Sequence, residues 1–218
     1  MPEINFLDTN PKTVRDYNGR AREKSPEVIR IARLFDRDFF DGERKYGYGG
    51  YRYDGRWKSV ARRMIEHYSL GEDASILDIG CAKGFLLHDF KELLKNCTIA
   101  GIDVSSYAIE NSLPTVKPWL KIASAEKLPY PDKSFDLVIS INSIHNLPLE
   151  KLKTALKEVE RISRGKSYIT VDAWRNEQER ENLYKWVLTA DTMMHVNDWV
   201  KLFREVGYTG DYWWFIAD

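Results

Sequence analysis

The chain has 218 residues, 43% hydrophobic and 30% charged, enough to bury one sizeable core and too few for two full domains of ordinary size. Lys plus Arg and Asp plus Glu both number 33, so no net field steers the protein onto nucleic acid or an anionic membrane, and neither is an expected partner. No stretch approaches the roughly 18 apolar residues of a membrane span, the N-terminus MPEINFLDTNPKT lacks a leader pattern, and Cys81 and Cys97 stand in no metal or disulfide spacing, so a reduced cytoplasmic setting and no metal are expected.

Residues 1 to 24 are polar and patternless. Ser25-Pro26-Glu27 then starts a helix with a capping hydroxyl, proline in the first turn and an early acid. Val28, Ile31, Ala32, Phe35 and Phe39 follow at helical spacing, a face that must pack on the body of the protein. DGERKYGYGGYRYDGRW, residues 41 to 57, holds five of the 13 glycines and four of the 12 tyrosines and reads as an aromatic loop. A second helix begins near Ser59 and stops at Gly71.

From Ser75 short apolar runs alternate with amphipathic stretches, the pattern of βαβ units and a buried parallel sheet. The expected strands are SILDIG, TIAGID, LKIASA, DLVISI and SYITVD, with TGDYWWFIAD as a last strand. Apolar stripes mark helices around Phe85–Leu94 and Leu149–Ile162, and further helices are expected over 177–190 and 197–206. The fold class is therefore α/β, a doubly wound, mostly parallel sheet, divided into an N-terminal extension with helix and lid (1–58) and a core domain (59–218). The DYWWF cluster reads as packing, and His67, His88 and His195 as surface or packing residues.

ILDIGCAKGF is an apolar strand that runs through Asp78-x-Gly80-x-x-x-Gly84 directly into a helix. Glycine at such a turn lets the backbone approach a ligand that a Cβ would repel; tight helix-on-sheet packing is the competing explanation. In GIDVS, Asp103 stands at the carboxyl end of the next strand, where a carboxylate can accept both hydroxyls of a ribose. ASAEKLPYPDKSFDLVISINSIHNLP completes the pattern: a polar segment, then Leu-Pro-Tyr, Ser-Phe-Asp and an apolar strand.

In these residues the chain resembles the class I S-adenosylmethionine-dependent methyltransferases over roughly residues 59 to 207. The resemblance implies a Rossmann-like fold and S-adenosylmethionine as cofactor, with S-adenosylhomocysteine as product. It places Asp78, Gly80 and Gly84 at the methionine part of the cofactor, with Cys81, Ala82 and Lys83 contributing loop backbone. Asp103 would hold the ribose and Val104 lie beside the adenine; Ser124, Ala125 and Glu126 would flank the adenine edge, and Ile141 would line the cofactor. Ser124 stands where the family often has an acid, and Ala82 where it often has a glycine, tolerable if the backbone there avoids positive φ. The 11 residues after Gly207 are short for the family's terminal β-hairpin, so the antiparallel edge is expected to be reduced or irregular.

Methyl transfer from a sulfonium is an in-line displacement, so the protein must align a nucleophile and exclude water. His145, just after the fourth strand, is the candidate catalytic base or acceptor contact, and Asn142 a candidate polar contact; a structural histidine and a turn cap are the alternatives. Tyr46, Tyr48, Tyr51 and Tyr53 are expected on a lid, mobile without ligand and ordered over the pocket; a rigid turn is the alternative. SINS in place of an Asn/Asp-Pro-Pro-Tyr tetrad argues against a base amine or a glutamine amide. A small-molecule acceptor methylated on O or N is expected. Similarity to bacterial methyltransferases of surface-polysaccharide and specialised biosynthesis points to a sugar or sugar nucleotide. A non-catalytic cofactor-binding module and a nicotinamide-dependent oxidoreductase are the other two readings, and the sequence does not set the oligomeric state.

Overall fold

The computed structural model describes residues 1–8 and 14–218; residues 9–13, within the N-terminal extension, lie outside the described residues. In chain order the elements are α1 (Tyr17–Glu23), α2 (Pro26–Ala32), α3 (Arg37–Asp41), α4 (Trp57–Tyr68), β1 (Ser75–Ile79), α5 (Phe85–Leu93), β2 (Thr98–Asp103), α6 (Ser106–Glu110), β3 (Leu120–Ile122), β4 (Leu137–Ile141), α7 (Leu149–Ile162), β5 (Ser167–Trp174), α8 (Glu177–Trp186), β6 (Met194–His195), α9 (Val196–Val206) and β7 (Asp211–Ile216).

The sheet runs β3-β2-β1-β4-β5, with β6 beside the last two residues of β5 and β7 along the rest of it. Successive side chains of a strand face opposite sides, so β1 divides its apolar residues between two cores. Ile76 packs with Val60 and Met64 of α4 and Leu87 and Phe90 of α5; Leu77 and Ile79 pack with Leu152 and Leu156 of α7 and Trp199 and Phe203 of α9. Both faces are covered, which is why β1, β2, β4 and β5 read as nearly continuous apolar runs.

Every strand pair among the described residues is parallel, including β5 with β7. The reduced antiparallel edge is thus a parallel one. The cause is α9, which lies between β6 and β7 and returns the chain in the direction it left, where a hairpin would reverse it. Residues 2–4 cover the β7 edge: the Ile4 amide donates to the Tyr212 carbonyl at 2.9 Å and the Tyr212 amide to the Pro2 carbonyl at 3.2 Å. Phe6, 2% exposed, plugs the seam between Tyr68 and Tyr168.

The N-terminal extension differs most from expectation. The patternless stretch contains α1, which buries no residue and so carries no apolar stripe. The face read from Val28 to Phe39 is broken: α2 ends at Ala32, Phe35 takes φ 50°, and Asp36 caps α3 through the Arg37 amide at 2.7 Å. A non-glycine residue at positive φ is strained, and the strain here aims Phe35 into the main cleft.

Candidate functional site

The order β3-β2-β1-β4-β5 reverses direction between β1 and β4, and in parallel sheets ligands bind outside the carboxyl ends of the strands at such a switch point. A cavity of about 340 Å³ opens there. Gly80 and Ala82 after β1, Asp103 and Val104 after β2, Ser124 and Ala125 after β3, and Ile141 at the end of β4 line one half; Asn142, Asp172, Trp186 and Phe215 line the other.

The turn after β1 is held from β2. The Gly80 and Cys81 amides donate to the Ile102 carbonyl at 2.8 and 3.0 Å, and the Ala82 amide donates to Asp103 Oδ2 at 2.8 Å. Ala82 has φ 49°, so the backbone does not avoid the left-handed region; the Asp103 bond holds it there. Gly80 has φ 77°, and a Cβ on it would lie 1.9 Å from Ser143 Oγ, so glycine is required by the protein itself as well as by any ligand. Gly84 does not line the cavity: it caps α5 at φ 75°, and a Cβ there would meet Val116 at 2.7 Å, the helix-packing explanation.

Two carboxylates lie close enough to interact: Asp103, the last residue of β2, lines the cavity, whereas Asp78, next to last in β1, does not. Asp103 Oδ1 accepts the Ser105 amide at 2.8 Å, and burial raises its pKa against the lowering by these backbone donors. Asp78 lies behind the turn, 6% exposed, and among the described residues its carboxylate has no hydrogen-bond donor. Burial, with the Asp103 charge added, pushes it up to about 7. A buried carboxylate left without a partner is a costly arrangement unless a cation arrives.

Cys81 is buried away from the cavity, its thiol pushed up by burial. Lys83 is turned from it also: Nζ donates to Asp41 Oδ2 at 2.6 Å and to the Tyr51 carbonyl at 3.0 Å. Glu126 stays outside the lining, its Oε2 accepting Ser124 Oγ at 3.2 Å. Asn142 sits at φ 49° in the cleft, its Oδ1 accepting from Thr170 Oγ1 at 2.7 Å.

His145, expected to face an acceptor, is 3% exposed and behind the wall. Its Nδ1 accepts the Asp172 amide at 3.1 Å, which places the ring proton on Nε2, 3.6 Å from Asp172 Oδ2. Burial pulls the imidazole down, so it is held neutral, and burial pushes Asp172 up. The group presented to the cavity is therefore Asp172, which the sequence reading passed over as the end of a strand.

The aromatic loop is tied to the body of the protein at several points. Tyr51 stacks on Phe85 with centroids 4.8 Å apart, its amide donates to Asp41 Oδ1 at 3.0 Å, and Tyr53 donates its hydroxyl to Asp89 at 2.6 Å. Tyr46 packs with Val28 and Leu188, and only Tyr48 of the four tyrosines lines the cavity. The rings thus find apolar partners within the protein itself. Phe215 and Trp186, read as packing or not singled out, are cavity walls.

Residues 77–171 match the family described as a methyltransferase domain. The tRNA (carboxymethyluridine(34)-5-O)-methyltransferase of Arabidopsis thaliana is 32% identical over 147 residues, 66% of this chain and 34% of that protein. The mitochondrial arginine-hydroxylase NDUFAF5 of Rattus norvegicus is 34% identical over 115 residues, 49% of this chain and 33% of that protein. The chain thus spans about a third of the length of these two curated relatives. In fold it is similar to a chain of the Haloferax volcanii complex with the Trm112 methyltransferase activator, at TM-score 0.55 and 20% identity, covering 71% of this chain and 73% of that one. No helix among the described residues is long and apolar enough to cross a membrane. The motif order, the cleft at the switch point and these similarities agree, and residues 77–171 are a methyltransferase domain of the class I, S-adenosylmethionine-dependent kind.

Proposed function

We propose that the protein methylates an oxygen or nitrogen of a small-molecule acceptor, with S-adenosylmethionine as donor. The observation that carries this is the pair Asp78 and Asp103 at the switch point, one carboxylate without a protein donor and one with lone pairs to spare. A cofactor bearing an ammonium, a sulfonium and a ribose diol fits that pair, and an anionic dinucleotide, which brings no cation to Asp78, does not. Asp78 would meet the cationic methionine end; Gly80 and Ala82 would present backbone; Asp103 would accept the ribose hydroxyls. Val104, Ser124 and Ala125 would enclose the adenine, and Ile141 would separate it from the acceptor side.

When bound, the cofactor supplies an electrophilic methyl group, and the protein's part is to orient the acceptor and keep water out. Asp172 is the carboxylate placed to take a proton from an acceptor hydroxyl or amine, with neutral His145 fixing it from behind; Asn142 offers its amide beside it. The 1–58 extension closes that side of the cleft through Phe35, Phe39 and Tyr48. A sugar or sugar nucleotide suits a cleft with these polar groups on one wall. The Arabidopsis relative's name raises a tRNA acceptor, but equal counts of 33 acidic and 33 basic residues give no net field for a polynucleotide, which leaves only a local basic patch to hold one. The hydroxylase name of the rat relative makes turnover the decisive test. Incubation with methyl-labelled S-adenosylmethionine and a fractionated metabolite extract should move label into a small product. Tight cofactor binding with no labelled product from any fraction would favour a non-catalytic module.

A further inference from the structure

The half of the cavity beyond Asn142 and Asp172 carries a feature that cofactor binding does not use. Arg20 of α1 and Arg44 of the aromatic loop both line it, beside Phe35, Phe39, Trp186 and Phe215. Arg20 is fixed by carbonyls alone: Nη1 donates to Arg44 and Lys45 at 3.0 and 2.9 Å, and Nε donates to Trp186 at 3.3 Å. Arg44 donates through Nη1 to the Gly47 carbonyl. The two guanidinium carbons lie 5.6 and 5.4 Å from the centre of the same Trp186 indole.

Two neighbouring cations are ion-paired, Arg33 with Asp191 at 2.7 Å and Lys45 with Glu43 at 3.0 Å. Among the described residues neither Arg20 nor Arg44 forms an ion pair, and their mutual repulsion adds to the burial that lowers Arg20. Arg15, 5.6 Å from the centre of the same Trp186 ring, adds a third guanidinium, and the charge of Glu23 only partly offsets the burial and repulsion at Arg20, so the cluster is poorly compensated. Planar guanidinium forks match the oxygens of carboxylates and phosphates, and the aromatic walls match an apolar or ring-bearing body.

We propose that Arg20 and Arg44 form an anion subsite that holds a carboxylate or phosphate of the acceptor, whose body lies against Phe39, Trp186 and Phe215. Calling the occupant the acceptor rests on the methyltransferase reading above; the anion subsite itself does not. The group to be methylated then points back toward Asn142 and Asp172, and the cavity selects acidic acceptors over neutral ones of the same shape.

The test is calorimetric titration with phenyl phosphate, benzoate and neutral benzamide, with and without saturating S-adenosylhomocysteine. Phenyl phosphate and benzoate should bind about tenfold or more tightly than benzamide, and Arg44→Gln should remove that advantage while S-adenosylhomocysteine binds as before. Arg20→Gln should do the same. Because Arg20 holds the Arg44 and Lys45 carbonyls and Arg44 holds that of Gly47, each variant is read against its own S-adenosylhomocysteine binding, and where that is lost to a disrupted loop the wild-type comparison of benzoate with benzamide decides. Equal binding of benzoate and benzamide, or undiminished phenyl phosphate binding by Arg44→Gln, overturns the subsite. Decauridylate binding more than about tenfold tighter than uridine monophosphate would overturn the small-molecule source of the anion. Anion binding without any S-adenosylhomocysteine binding would leave the subsite standing and remove the methyltransferase reading.

Discussion

Replacing Asp78 with asparagine separates the cost of the site from its purpose. In the free protein burial, together with Asp103, pushes the Asp78 carboxyl up to about 7 from its ordinary 3.8. About three pK units at about 1.4 kcal/mol each is roughly 4 kcal/mol of destabilisation at most, from one ionised group. The sign follows from the raised value. Below the unfolded value both states are protonated and the group costs nothing; between about 4 and 7 the native state alone holds the proton, so stability falls as pH rises. Above 7 the full cost is present. Asp78→Asn keeps the volume and removes the charge, so the free variant should be more stable than wild type at pH 8 and close to it at pH 4, by urea unfolding of both proteins. The same variant should bind S-adenosylmethionine more weakly, because the cation loses its counter-charge. A stability difference that does not change with pH, or a variant less stable at pH 8, would refute the idea of an uncompensated carboxylate awaiting a cation.

Asp103→Ala should weaken S-adenosylhomocysteine binding by about 1.5 to 3 kcal/mol, and it should also lower the melting temperature, because the Ala82 and Ser105 amides lose their acceptor; normal binding would remove Asp103 from the ribose role. Gly80→Val should abolish cofactor binding and destabilise the fold through Ser143, and a variant that melts and binds as wild type would contradict both. In hydrogen exchange without ligand, the amides of Tyr48, Gly50 and Tyr51 should be protected, since each has an acceptor within 3.0 Å; rapid exchange at all three would restore a ligand-dependent lid. Tyr51→Ala, which loses the Phe85 stack, should reduce turnover more than equilibrium binding of S-adenosylhomocysteine.

The sheet was legible because parallel strands covered on both faces must be apolar at every position, as SILDI and LVISI are, and because the turn after β1 needs small residues where it passes Ser143. The strand ends therefore placed Gly80, Ala82, Asp103, Val104, Ala125 and Ile141 on one cavity wall from spacing and resemblance alone. What escaped was set by contacts without periodicity. α1 docks through Arg20 and Tyr17 rather than an apolar stripe, so its sequence looked polar and patternless. The break at Phe35 is a positive-φ residue with no glycine to announce it. Asp172 and His145 exchange places relative to the expectation because the histidine folds into a 3-10 turn against β5 and only the carboxylate clears it. Phe215 reaches the cavity because β7 runs parallel to β5, which a hairpin reading of the tail would not give.

The central claim, that the carboxylates at the β1 and β2 ends hold S-adenosylmethionine, is tested most directly by calorimetric titration of the free protein across pH 6 to 8. S-adenosylmethionine and S-adenosylhomocysteine should bind in the micromolar range, about −8 kcal/mol, and NAD negligibly. Affinity for S-adenosylmethionine should rise with pH through about 7, and binding near that pH should release a proton to the buffer, because the arriving cation pulls Asp78 back down. Preferential binding of NAD, or no binding of either adenosyl ligand, would contradict the account.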